Sequence, residues 1–107
     1  FFPSDPAGVD DSEAVPTHFS IHASPNPSHA GMTIRLQLAR EQVVNVGIFD
    51  VAGREVRRVL DGPLPPGTHL IPWDGRDVSG RETSAGAYFA KASSSGQEQV
   101  AKLIRVR

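Results

Sequence analysis

Met32-Thr33-Ile34-Arg35-Leu36-Gln37-Leu38 alternates apolar and polar residues without a break, and Val44, Val46 and Ile48 repeat the same two-residue period a few positions on. Period two is the mark of a strand with one face against a core, because successive side chains point to opposite faces. Outward from this pair the pattern continues. Upstream, Phe19, Ile21 and Ala23 share one face of residues 18–24, and His18, Ser20 and His22 the other. Pro25-Asn26-Pro27 ends that strand, since proline lacks a donor and restricts the residue before it. Downstream, Ala52-Gly53 turns the chain into residues 54–60, where Val56 and Leu60 point inward. Gly62-Pro63-Leu64-Pro65-Pro66-Gly67 reads as a stiff connection to a strand over residues 68–73, and residues 74–86 form the longest loop. Tyr88, Ala90 and Ala92 begin the next inner row, and residues 93–96 turn into a last strand over 99–106. The sum is all-β: seven short strands separated by turn signals, which pack as two antiparallel sheets.

Bulk composition bounds the function. A chain of 107 residues has room for one core. The net charge of −1, with both signs interspersed, lacks the concentrated basic footprint of a nucleic-acid binder. No apolar run reaches the roughly 20 residues needed to span a bilayer as a helix. There are no cysteines, so disulfides and thiolate metal sites are excluded. Residues 1–17 are rich in Pro, Asp, Ser and Gly without apolar periodicity, and read as an extended arm or linker ahead of a domain at 18–107. The start Phe1-Phe2-Pro3, without Met or a signal-peptide pattern, leads us to expect a processed product or a piece of a longer exported protein.

Several segments, taken in order, resemble the immunoglobulin-like module shared by flagellar hook-capping proteins and C-terminal sorting domains of the type IX secretion pathway. They are Ser24-Pro25-Asn26-Pro27, Thr33-Ile34-Arg35-Leu36, Val46-Gly47-Ile48-Phe49-Asp50-Val51-Ala52-Gly53-Arg54-Glu55-Val56, Leu64-Pro65-Pro66-Gly67-Thr68-His69, Trp73-Asp74-Gly75-Arg76-Asp77, Ser84-Ala85-Gly86-Ala87-Tyr88-Phe89 and Lys102-Leu103-Ile104-Arg105-Val106-Arg107. The resemblance implies a seven-stranded antiparallel immunoglobulin-like β-sandwich with an extended N-terminal arm. It also implies a non-catalytic sorting or anchoring module of a secreted or cell-surface protein. Its partners would be proteins: secretion machinery, domains of the parent protein, or copies of itself.

Structural roles are expected for Asn26, Asp50, Gly53, Trp73, Gly86 and Tyr88. Asp50 bonds its turn backbone, Gly53 supplies positive φ, and Trp73 needs a partner for its indole N–H near the rim. Gly86 allows close backbone approach, and Tyr88 is an aromatic anchor. Asp74 and Asp77 are the best calcium candidates, but they lie three apart with Arg76 between them, unlike a loop with ligands at every second position. We expect them to brace their loop, and we expect no metal or other cofactor. His18 and His22 are in phase on a strand but about 13 Å apart, too far for one ion. Arg54, Arg57 and Arg58 read as a solvated basic strand face. No nucleophile elbow or phosphate loop is present, so no catalytic residue is assigned. Partner binding falls to the basic terminal strand, Lys102, Arg105 and Arg107, and to Phe1 and Phe2 as apolar anchors of the arm. If the arm crossed onto a neighbour, the chain would be a self-assembling subunit of a filament, tube or cap. A carbohydrate-binding module, the third reading, needs exposed aromatics. The aromatics number seven, and Phe19, Phe49, Trp73, Tyr88 and Phe89 are wanted for strands and packing.

Overall fold

The computed structural model describes residues 18–106. The strands are β1 (Ser20–Ser24), β2 (Met32–Leu38), β3 (Gln42–Asp50), β4 (Glu55–Leu64), β5 (Gly67–Trp73), β6 (Gly86–Ser94) and β7 (Gln97–Arg105). They form a three-stranded sheet in the order β1-β2-β5 and a four-stranded sheet in the order β4-β3-β6-β7, with every neighbouring pair antiparallel. No helix occurs among the described residues.

The alternation in the sequence becomes the core directly. Ile34, Leu36 and Leu38 of β2, Val44, Val46 and Ile48 of β3, Ala90 and Ala92 of β6, and Leu103 of β7 are fully buried between the sheets. Phe19, Ala23, Met32, Ile71, Trp73 and Tyr88 complete the cluster. Each large aliphatic side chain taken from water contributes about 1.5–3 kcal/mol, and the β-branched residues suit the pleated surface as well.

Three local features differ from expectation. β4 runs on to Leu64 and β5 begins at Gly67, so the stiff connection shrinks to Pro65-Pro66. The register continues through it, with Gln42 opposite Leu64, Val43 opposite Pro63 and Val44 opposite Gly62. Proline fits there because β4 is an edge strand, where a missing N–H costs no ladder bond. Phe49 and Phe89 lie outside the core, directly opposite one another on the outer face of the four-stranded sheet. Their parity explains this, since Ile48 and Tyr88 take the inner positions. The Lys91 ammonium sits 4.8 Å from the Phe49 ring centre. Phe49 and Glu55 also crowd Gly47, where a Cβ would come within 2.6 Å of Glu55 Oε2. Gly86, finally, has open space around it, and its φ of 145° rather than close approach is what asks for glycine.

The β6–β7 hairpin closes through Ser95 and Gly96, with φ of 51° and 80°. Two successive positive values match the right-handed twist of the strands they join.

Leu36→Ala should lower stability by about 2–5 kcal/mol, whereas Val100→Ala, on an exposed position, should stay within about 0.5 kcal/mol. Urea denaturation of the two variants beside the parent chain checks both values. Equal losses would show that the inner rows are misassigned.

Candidate functional site

The polar residues picked out by the sequence gather at one end of the sandwich. At their centre is Arg105, on the last residue of β7 and only 5% exposed. Its parity with Leu103 turns it inward. The guanidinium Nη1 donates to Gly75 O at 3.2 Å and to Thr83 O at 2.6 Å, and lies against Thr83 Oγ1 as well. Its carbon sits 5.9 Å from the Trp73 ring centre, and Trp73 packs edge-on against Tyr88 at 6.0 Å. No carboxylate pairs with Arg105 among the described residues, so carbonyl dipoles and aromatic faces replace its lost hydration. Its Nε is buried without a partner.

Residues 74–85 wrap this cation. Gly75 has a φ of 81°, and a Cβ there would meet Arg105 Nη2 at 2.9 Å, so both backbone and space require glycine. Trp73 Nε1 donates to Arg76 O at 2.9 Å, and Tyr88 OH donates to Ser84 O at 2.8 Å. Asp74 Oδ1 accepts Arg76 N–H at 3.0 Å. Asp77 Oδ1 accepts the Ser79 and Arg81 N–H groups and the Ser79 hydroxyl. The carboxyl is held below its ordinary value of 3.8, first by the Ser79 hydroxyl and then by the Arg81 N–H. Those lone pairs are engaged in turning the chain.

Asp50 plays the same part at the β3–β4 turn. Its Oδ1 accepts Ala52 N–H and Arg54 N–H, both at 3.0 Å, while Gly53 adopts φ 85°. The Arg54 N–H is the main cause of its lowered pKa. The three neighbouring arginines divide among separate acids. Arg54 meets Asp50, Arg57 meets Asp74 at 3.9 Å and Asp77 O at 3.3 Å, and Arg58 meets Glu55 and Asp61. Between this turn and the wrapped loop runs a groove of about 570 Å³ whose lining includes Val51, Arg54, Val78, Arg81 and Tyr88. Val51 and Val78 are 75% and 85% exposed on it.

On the other flank, Asn26 clamps β7. Its Nδ2 donates to Lys102 O at 2.7 Å and its Oδ1 accepts Ile104 N–H at 2.8 Å. Ser28 continues the contact, donating N–H to Ile104 O and accepting Val106 N–H, both at 2.9 Å.

The residues expected to meet a partner are therefore divided. Lys102 is exposed on the outer sheet face, whereas Arg105 is enclosed and all its hydrogen bonds are internal. Phe1, Phe2 and Arg107 lie outside the described residues. His22 and His29 are exposed, and His69 Nε2 lies 2.7 Å from Pro65 O. Reading the terminal strand as uniformly basic missed the enclosure of Arg105. The signal was its spacing of two from Leu103.

The groups that Asp50 and Asp77 accept hold both carboxyls below the usual 3.8, so the stability they contribute is complete above that value and is lost as pH falls below it, through the lower folded value. Asp77→Asn should therefore melt below the parent at pH 7, with the gap narrowing as the pH falls below 3.8. Thermal melts from pH 2 to 7 check this. A gap that stays constant with pH would refute the charge assignment.

Comparison with known proteins agrees with this geometry. The sandwich is similar in structure to part of the dimeric latent PorU from Porphyromonas gingivalis, with a TM-score of 0.66, 23% identity, and coverage of 80% of this chain and 9% of that one. PorZ, an essential bacterial surface component of the type IX secretion system of the same organism, gives 0.58 and 20% over 81% of this chain and 11% of that one. FlgD from P. aeruginosa gives 0.55 and 25% over 84% of this chain and 70% of that one. The chain thus spans about a tenth of the length of PorU and of PorZ. No curated protein sequence matches it. A family model, described as the FlgD Ig-like domain, matches residues 24–98, from the clamp segment to the start of β7. By that match, and with the sandwich found here, the chain belongs to the FlgD Ig-like domain family.

Proposed function

We propose that this chain is a non-catalytic sorting or anchoring module of an exported bacterial protein, presenting its β6–β7 hairpin to a protein partner. One observation carries the reading: the conspicuous polar groups at the end of the sandwich are engaged in holding its own loops. Asp50, Asp77, Trp73, Tyr88, Asn26 and Arg105 all bond to backbone or side-chain atoms of the same domain. What is left for a partner is surface rather than a reactive centre. The family supports a scaffold role, and the likeness to about a tenth of PorU and PorZ supports a module that works as one piece of a larger protein. PorZ belongs to the type IX secretion system, which supports an exported or surface location for this chain. Among the described residues no helix is long and apolar enough to cross a membrane.

The exposed part of the hairpin is its outer face, where Lys91, Val100 and Lys102 flank the paired Phe49 and Phe89. A partner would gain apolar contact at the centre and charge at the rim, as protein interfaces do.

Fusing the whole chain to the C-terminus of a soluble reporter, in a bacterium with an active type IX pathway, tests the proposal. Export of the reporter is expected with the chain attached, and Lys102→Glu together with Val100→Asp should reduce it. Retention of the fusion inside cells with a working pathway would overturn the sorting role.

A further inference from the structure

The two outward sheet faces differ in what they can pair with. On the three-stranded sheet, Thr33, Arg35 and Gln37 point outward along the middle strand, with His22 on β1 and Leu70 on β5 beside Arg35. No Asp or Glu occurs in β1, β2 or β5. A two-fold axis through that face would set Arg35 against its own copy, and like charges brought together oppose association.

On the four-stranded sheet one outward row crosses every strand: Glu55 on β4, Phe49 on β3, Phe89 on β6 and Lys102 on β7, each opposite the next. The row is aromatic at its middle and opposite in sign at its two ends. Val100, 54% exposed, and the half-buried Ala87 and Ile104 extend the apolar surface to either side of Phe89. Gly47 carries no side chain, and the Phe49 ring comes within 3.0 Å of where its Cβ would stand, so the centre of the face is low. Lys102 is exposed and makes no ion pair among the described residues, while Glu55 pairs with Arg58 of its own strand.

Such a row is its own complement. A two-fold axis parallel to the strands, midway between β3 and β6, lays Glu55 on Lys102 of a second copy and Lys102 on its Glu55, with Phe49 against Phe89 at the centre. Asp61 and Glu98 share a further row through Asn45 and Ser93, and the same axis would oppose these two acids. The roughly 30° angle between packed sheets, pivoting on the aromatics, swings them apart. Each also keeps a cation of its own, Arg58 for Asp61 and Lys91 for Glu98. Area is sufficient as well. Four strands of nine or ten residues, about 4.8 Å apart and rising about 3.4 Å per residue, make a face of about 19 by 30 Å. Two such faces cover about 1,100 Å² together, which reaches the lower end of specific association.

We propose that the outer face of the four-stranded sheet is a self-recognition surface, on which a second copy of this chain packs face to face about a two-fold axis, Glu55 against Lys102 and Phe49 against Phe89. The inference rests on reading this face as a protein interface and names the partner, but it does not require export.

Sedimentation velocity on the purified whole chain tests this. An interface of this size is weak, so a monomer–dimer equilibrium is expected with a Kd on the order of 10–100 µM. Lys102→Glu and Glu55→Lys, both at exposed positions, should each weaken it on the order of tenfold or more, because either one opposes like charges at both ends of the row. An equimolar mixture of the two variants should associate as the parent does, since one end then keeps the original pair and the other holds it reversed. A parent chain that stays monomeric up to about 1 mM would overturn the proposal. Association unmoved by both variants would overturn it by placing the contact elsewhere, as would a mixture that associates no more strongly than its parts. The purified chain is measured alone, so a failure of reporter export leaves these results standing.

Discussion

A guanidinium enclosed without a carboxylate is the constraint around which one end of this sandwich is arranged. Taking an arginine out of water is costly unless its donors and charge are answered locally. Here the answer comes from Gly75 O, Thr83 O, Thr83 Oγ1 and the Trp73 ring, all brought by one strand end and the loop after it. The loop cannot leave without exposing those carbonyls and stranding the cation. This couples the last residue of β7, in one sheet, to the end of β5 in the other. Asn26 and Ser28, just after β1, make a second tie to the same stretch of β7. The sheets are therefore joined by polar bonds around the end of β7 as well as by the apolar layer between them.

That arrangement bears on function. Residues that on paper resemble catalytic or metal-binding chemistry are engaged in structural roles. Asp77 makes three short bonds within its own turn, and Asp50 makes two. In both residues these bonds fall on Oδ1 and serve to turn the chain. The outer face of the four-stranded sheet, where Phe49 lies opposite Phe89, makes no such turn bonds.

Much of the fold was legible because period two is unambiguous when it is strict. Leu36 and Leu38 had to share a face, and so did Val44, Val46 and Ile48. The turn roles of Asp50 and Gly53 were legible for a similar reason, since the chemistry is local to four residues. What escaped was non-local. The enclosure of Arg105 depends on Gly75 and Thr83, thirty and twenty-two positions away, and no local pattern records that meeting. The outward setting of Phe49 and Phe89 was implied by Ile48 and Tyr88, but aromatic residues invite assignment to the core. The length of β4 was hidden by Gly62 and Pro63, which read as loop residues and sit in the strand because it is an edge.

The central claim is that the enclosed Arg105 holds the 74–85 loop to the sandwich. Hydrogen exchange in Arg105→Met addresses it most directly, because methionine keeps the apolar stem and removes the cation. The Thr83 amide, bonded to Gly75 O, and the Val78 amide, bonded to Val56 O, should lose protection together while Val46 and Ala90 in the core stay slow. A folded variant in which Thr83 and Val78 exchange as slowly as in the parent chain would contradict the account.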